Sequence, residues 1–407
     1  MALKLLIVTE RFYPEEFIIN DLASAWVERG FTVEVLTQVP SYPSGSVFQG
    51  YKNRPYCEEL WKNIRIRRFF TVTGYRDSLF LKLLNYVSFV LAGLLTALFI
   101  SRRYDRIFVY QTGPLTLALP AVLGGLIFGK PVTIWTQDVW PDTVYAYGIR
   151  KTRPLAWFLD RLVGFIYGRC DRIFVSCEGF MEKIAPYAPG KTISHFPNWP
   201  TVTPAGAGAG PGVKLSDRFN FTFAGNIGKV QNLENVIRGF GLASAGNDGI
   251  QLNIIGDGSH LEALKEIARA DNIRNVVFWG RKEQEEMPAY FNASDVMVIS
   301  LNDAPIFNIT VPAKFQAYLA FSKPILAVMN GEVRRIVEKH GAGLCAEPGD
   351  LKAISARFLE FCSLRGGGLE KFAGNSRNLL ETVYDREKII KGMTEEIVKQ
   401  RSGGRVK

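Results

Sequence analysis

The stretch Phe223-Ala-Gly-Asn-Ile-Gly-Lys-Val-Gln-Asn-Leu-Glu234 decides the fold. An apolar run over 219–223 leads into two glycines separated by Asn226 and Ile227, then a lysine, then a helical pattern. That order reads as a strand, a tight turn and a helix N-terminus. Gly225 and Gly228 let the backbone approach a ligand closely. Backbone N–H groups and the positive end of the helix dipole then converge on one point, where Lys229 adds a mobile cation. Such a point suits a phosphate, and it opens the second half of the chain rather than the first.

Working outward, the chain of 407 residues exceeds what one core usually supports, which implies two domains. A hydrophobic content of 47% and 38 glycines describe a globular α/β protein. The net charge of +10 suits anionic lipid, nucleic acid or a phosphorylated substrate, and equally a plain solubility margin. The basic residues are dispersed, with no stripe of arginines and aromatics, which argues against nucleic acid. Cys57, Cys170, Cys177, Cys345 and Cys362 are scattered, without zinc spacing, and read as reduced thiols of a cytosolic protein. Residues 3–8 read as a strand, so the N-terminus does not read as a signal peptide.

Strand and helix patterns alternate through the first half. Strands are expected over 3–8, 32–36, 64–70, 106–110, 132–136, 171–176 and 191–196, with helices near 17–29, 79–99, 115 onward and 153–167. Largely apolar strands between helices imply a parallel sheet covered on both faces. Composition breaks at Pro204-Ala-Gly-Ala-Gly-Ala-Gly-Pro-Gly212, which has no side chains able to build a core and reads as a flexible connector. The alternation restarts at Phe219, with strands over 252–255, 276–279, 296–300 and 325–328. The expected plan is a first doubly wound domain over 1–200, a linker over 201–216 and a second doubly wound domain over 217–375. A charged helix over 376–400 would return to the first. Two such halves place a ligand at the cleft between them.

Residues 79–100 are strongly apolar, broken mainly by Lys82, Asn85, Ser88 and Thr96, and are long enough to cross a membrane. The strands expected on either side look like members of one sheet, which disfavours a crossing. Lys82, Asn85 and Ser88 recur at three-residue steps, a narrow polar stripe on a helix. Arg102 and Arg103 follow directly. The leading reading is an interfacial helix meeting anionic headgroups; a buried core helix is the alternative.

Several junctions carry candidate chemistry. Ile254-Ile-Gly-Asp-Gly258 is a second strand-to-turn-to-helix junction, so Gly256, Asp257 and Gly258 join Gly225, Asn226 and Gly228 as candidate nucleotide contacts, unless both are ordinary packing turns. In Val311-Pro-Ala-Lys-Phe-Gln-Ala-Tyr-Leu319, Pro312 fits a first helical turn and puts Lys314 where it reaches an anion or is simply solvated. A helix dipole repels such a lysine by ~0.3–1 kcal/mol, whereas a charge-assisted bond to phosphate contributes ~1.5–3 kcal/mol, so a ligand outweighs the penalty. Glu332, at the start of a later helix, either complements the dipole or accepts bonds from sugar or ribose hydroxyls. Ile134-Trp-Thr-Gln-Asp-Val-Trp-Pro-Asp142 ends a buried strand with acids and aromatics, a combination that suits a sugar ring. Asp138 is the candidate polar group there, beside Gln137 and Trp140, with a capping acid as the bland alternative. Glu15 or Glu16, after the first strand, lies at the same edge; His195 reads as structural.

At these residues the chain resembles glycosyltransferase family 4, the retaining, metal-independent sugar transferases with two Rossmann-like domains (the GT-B fold). The resemblance covers nearly the whole chain, from Tyr13-Pro14, Leu22 to Ala25 and Arg29-Gly30 through the Gly225 turn and Gly256-Asp-Gly258 to Ser294-Asp295, Lys323-Pro324 and Gly349-Asp350. Gln137-Asp138-Val139-Trp140-Pro141, Pro197-Asn198-Trp199, Gly225-Asn226-Ile227-Gly228 and Pro312-Ala313-Lys314 look like the bacterial branch that adds amino sugars, such as N-acetylfucosamine, during surface polysaccharide assembly. The chain departs from the family where paired glutamates are usual: Ile309 and Ala317 stand there, with Gln316 adjacent. Asn226 and Gln231 replace the usual arginine and lysine at the phosphate turn, and Phe17-Ile-Ile-Asn20 replaces a glycine pair.

The resemblance implies a UDP-sugar donor, no cofactor and no metal. It implies a polyprenyl-diphosphate-linked acceptor and a place at the cytoplasmic face of the inner membrane. Lys229, Lys314 and Glu332 would supply the donor-binding charges. Asp138, Lys229 and Lys314 would carry catalysis, and Glu15, Gln137 and Trp140 would meet the acceptor. An epimerase of the same plan and a non-catalytic, membrane-associated scaffold that binds nucleotide sugars are the alternatives.

Overall fold

The computed structural model describes residues 2–75, 78–146, 149–202, 204 and 213–399. It divides into two compact units, residues 1–197 with 387–407, and residues 198–386. Of the expected connector over 201–216, residues 203 and 205–212 lie outside the described residues.

The first unit runs β1 (Lys4–Thr9), α1 (Ile18–Glu28), β2 (Thr32–Gln38), β3 (Tyr56–Trp61), β4 (Ile64–Phe69), α2 (Leu79–Ile100), β5 (Arg106–Gln111), α3 (Leu119–Phe128), β6 (Val132–Thr136), α4 (Asp142–Ala146), α5 (Arg153–Arg169), β7 (Arg172–Val175), α6 (Gly179–Ile184) and β8 (Thr192–His195). The strands form one sheet in the order β3-β4-β2-β1-β5-β6-β7-β8. All neighbours pair in parallel except β3 with β4, which are antiparallel. The central strands are apolar because helices cover both faces. Strand β3 alternates exposed and half-buried residues at the solvated edge, and the sequence pattern missed it for that reason.

Helix α2 starts at Ser78, whose Oγ accepts from the Leu81 N–H at 3.2 Å. Strands β4 and β5 on either side of it belong to one sheet, so α2 lies along that sheet instead of crossing a bilayer. Asn85 fixes it there, its Nδ2 donating to Val72 O at 2.7 Å and Gln38 Oε1 at 3.2 Å. Only 28% of its apolar window is buried, so α2 is not the buried core helix of the alternative reading.

The second unit runs β9 (Phe219–Ala224), α7 (Leu233–Ser244), β10 (Ile250–Ile255), α8 (Leu261–Ala270), β11 (Val276–Gly280), α9 (Met287–Ala293), β12 (Val296–Ser300), α10 (Ala313–Ala320), β13 (Ile325–Val328), α11 (Glu332–His340), β14 (Gly343–Ala346), α12 (Leu351–Ser363) and α13 (Leu369–Val383). Its sheet, β11-β10-β9-β12-β13-β14, is parallel throughout. The central strand β9 explains its own burial. Phe219, Phe221 and Phe223 join the core cluster with Phe240, Phe358 and Phe361; Phe221 meets Phe358 edge-on at 4.7 Å. Asn220 and Thr222 alternate with them and pair with Asn253 and Ser294. Each buried ring stabilises the fold by about 1.5–3 kcal/mol.

The single helix expected over 376–400 is two helices, α13 and α14 (Arg386–Lys399), broken at Tyr384 and Asp385. The break separates two packing tasks. Tyr384 sets its ring 5.9 Å from Phe315 of α10. Helix α14 instead joins the first unit, where Trp26 Nε1 donates to Thr394 Oγ1 at 3.1 Å and Gly392 fits against Phe196.

Candidate nucleotide-sugar site

Four loops meet at the carboxyl edge of the second sheet, after β9, β10, β12 and β13. The first two touch backbone to backbone. The Gly225 N–H donates to Ile255 O at 3.0 Å and the Ile227 N–H to Asp257 O at 2.8 Å. Gly256 has φ +140°, and a Cβ there would lie 1.9 Å from Gly225 O; one on Gly258 would lie 2.3 Å from Ile227 O. Only glycine fits either place. The β12 loop is tied to the same turn, with Asn302 donating from Nδ2 to Lys229 O at 3.1 Å and from its backbone to Val230 O at 2.9 Å. Among the described residues the N–H groups of Asn226, Gly228, Lys229 and Val230 make no backbone hydrogen bond, and those of Asn226 and Gly228 belong to the glycine turn itself.

Lys314 reaches this turn from the first turn of α10. Its Nζ would lie 3.2 Å from a Cβ on Gly225, stands 3.9 Å from the centre of the Phe223 ring and donates to Gln231 Oε1 at 2.8 Å. Among the described residues no carboxylate pairs with it. Burial pushes its pKa down to about 7. A half-buried cation held by one amide and one ring lacks the counter-charge that an anion would supply.

Two expectations at the turn are corrected. The helix does not begin at the glycines: a short turn over Lys229–Gln231 intervenes, then Asn232 in a left-handed conformation at φ +54°. Asn232 Nδ2 donates to Pro348 O at 2.9 Å, so α7 starts beside the loop after β14, seven residues beyond Asn226, and not at the glycines. Gly228 has φ −106°, and an added Cβ would meet only the Asn226 side chain; the backbone does not require glycine there. Lys229 is exposed. Asp257 turns its carboxylate onto its own loop, accepting from the Gly258 N–H at 2.8 Å.

Glu332 is buried at the first position of α11, where an acid complements the dipole. The preceding Gly331 has φ +78°, and a Cβ on it would lie 1.9 Å from Asn308 O. The β13 loop therefore lies directly on the β12 loop.

In the first unit, Asp138 follows β6. Thr143 of α4 donates its hydroxyl to Asp138 Oδ1 at 2.5 Å. Burial raises the Asp138 carboxyl to about 6 against that bond. Gln137 donates its N–H to Gln111 O at 2.9 Å, and Trp140 is half-buried. Glu15 differs from its expected acceptor role. Its Oε1 accepts from the N–H groups of Ser41 at 2.8 Å and Tyr42 at 2.7 Å, and from Arg11 Nη1 at 3.4 Å. It is a buried clamp between the loops after β1 and β2, the counter-group for two loop N–H donors. Burial raises its pKa despite Arg11. His195 lies 3.7 Å from Glu178 with its pKa lowered by burial. No group of three His, Cys, Asp or Glu positioned for a metal occurs among the described residues.

The structure thus unites Gly225, Asn226, Gly228, Gly256, Asp257, Gly258 and Lys314. It adds Asn302, Asn308 and the Phe223 ring, which the sequence pattern did not single out, and it sets Gln231, noted there only as a departure from the family, against Lys314.

The carboxyl-edge site on a doubly wound sheet agrees with two family models. The one for glycosyl transferases group 1 matches residues 212–378, and the one for a glycosyl transferase 4-like domain matches residues 16–199. The chain is a glycosyltransferase of family 4, with the GT-B fold. It is 29% identical over 294 residues to WbjE of Pseudomonas aeruginosa, named as a glycosyltransferase, covering 70% of this chain and 72% of that one. It is 22% identical over 419 residues to WcaI of Escherichia coli strain K12, named as a colanic acid biosynthesis glycosyl transferase, covering 97% and 100%. Among solved structures, Anabaena HepE in complex with UDP and glucose superposes with a TM-score of 0.70 at 12% identity, covering 98% of this glycosyltransferase and all of HepE.

Proposed function

We propose that this glycosyltransferase moves an N-acetylated amino sugar from a UDP-sugar to a polyprenyl-diphosphate-linked acceptor during bacterial surface polysaccharide assembly, with retention of configuration and without a metal. The observation that carries the reading is Lys314: a half-buried cation that no carboxylate among the described residues pairs with, set against the Gly225 backbone and the Phe223 ring. The UDP in HepE and the polysaccharide named for WcaI support the donor class and the setting.

The leaving group is a nucleotide diphosphate, so the main task is to stabilise negative charge as the anomeric bond breaks. Lys314 and the Asn226 and Gly228 N–H groups would hold the diphosphate, with Lys229 beside them. Glu332 would face the sugar or ribose hydroxyls. The leaving phosphate takes the acceptor proton, and Asp138 orients the acceptor or supports the positive charge on the sugar. Helix α2 rests at the cytoplasmic face of the inner membrane, where the acceptor lies.

The test is UDP release from UDP-N-acetylglucosamine with and without a polyprenyl-diphosphate sugar. Release coupled to a new glycolipid is expected, and Lys314→Ala should lower kcat/KM by more than about tenfold, about 1.4 kcal/mol. Release that ignores the acceptor, or wild-type kinetics in that variant, would overturn the assignment.

A further inference from the structure

Helices α2, α3 and α5 join β4 to β5, β5 to β6 and β6 to β7, all stepping the same way across the first sheet. Right-handed crossovers put the three on one face, running back against the strand direction. Helix α1 steps the other way and takes the opposite face, with α14 against it. Within the row, α2 and α3 approach closely at glycines, Gly93 against Pro120 and Gly124 against Ser101.

The outward side of this row is apolar. On α2, Leu91, Leu95 and Phe99 are 59%, 62% and 74% exposed, and Ile127 on α3 is exposed. Helix α5 continues the surface with Trp157 at 63%, Phe158 at 56% and Phe165. On a helix that merely covers a sheet, such residues face inward. Here they are interleaved with cations: the Arg161 guanidinium lies 5.6 Å from the Trp157 ring centre, and that of Arg169 lies 5.7 Å from Phe165. Because the three helices share one direction, Arg102, Arg103 and Arg169 fall together at the ends of α2 and α5, and Arg153 stands at the opposite end of α5. An apolar band bordered by cations matches a bilayer whose hydrocarbon lies beside anionic phosphates.

We infer that α5 is a second membrane element, and that α2, α3 and α5 form one platform docking on an anionic bilayer, with the α5 arginine–aromatic pairs at headgroup depth. The inference rests on the membrane placement in the proposed function and extends it from one helix to a surface. Sedimentation of the full chain with phosphatidylcholine vesicles, with and without phosphatidylglycerol, tests it. Binding to the anionic vesicles is expected, weakening with salt. Arg161→Gln with Arg169→Gln should weaken it by about 25-fold, about fivefold per arginine, and Trp157→Ser with Phe158→Ser by more than about tenfold. Brominated lipid should quench Trp157, read as the difference from Trp157→Phe. Wild-type vesicle binding in both α5 double variants, or no quenching difference, would overturn the platform. Calorimetry of UDP-sugar binding keeps the two readings apart, since the α5 variants should bind donor as wild type does. Failure of the wild-type chain to bind donor would sink the proposed function alone.

Discussion

Raising the pH from about 6 to about 9 should weaken UDP-sugar binding by about 90-fold, because the lysine set against the Gly225 turn loses its charge over that range. In the free protein Lys314 titrates at about 7. A bound diphosphate restores the counter-charge and raises that pKa toward the ordinary lysine range. The sign follows: affinity is full below the free-state value and falls as pH rises through it. At about pH 9 roughly 1% of free Lys314 is protonated, so charging it costs about 2.7 kcal/mol more than at about pH 6. The donor's diphosphate diester does not itself titrate in this range, and Lys314→Met serves as the control for ionisation of the uracil ring toward about pH 9. Isothermal calorimetry in buffers of differing ionisation enthalpy would report both the affinity and the proton taken up. Lys314→Met should bind weakly and without that slope. A flat affinity in the wild type, or the same slope in Lys314→Met, would refute the assignment of the diphosphate to Lys314.

Lys314→Met should also stabilise the fold. The native pKa lies below the unfolded value, so the penalty is complete below about pH 7 and gone above about pH 10.5, with an upper bound of about 5 kcal/mol; thermal unfolding at the two pH values checks this. Gly256→Ala forces a Cβ to 1.9 Å from Gly225 O and should cost more than about 3 kcal/mol, read as a fall in the urea midpoint. Asp138→Asn should lower turnover by more than about tenfold and remove a rise in the rate centred near pH 6.

The sheet order of each unit follows from apolar strands alternating with helices, and that much was legible. Lys314 was legible too, because Pro312 marks a helix start and fixes where the lysine stands. Its setting was not. Gln231 is 83 positions away and meets Lys314 only after the intervening turn and the left-handed Asn232. The same turn delays the start of α7 to Leu233, which no spacing rule signals. Glu15 looked like an edge residue facing a ligand, but its fate was set by two N–H groups on another loop. The sequence marked α5 only as a helix near 153–167; its aromatics are interleaved with Arg153, Arg161 and Arg169, so it has no unbroken apolar run like that of α2.

The most direct measurement is a crystal structure of the chain with UDP. The account predicts the diphosphate within ~3 Å of Lys314 Nζ and of the Asn226 and Gly228 N–H groups. A nucleotide bound elsewhere, with Lys314 still donating to Gln231, would contradict it.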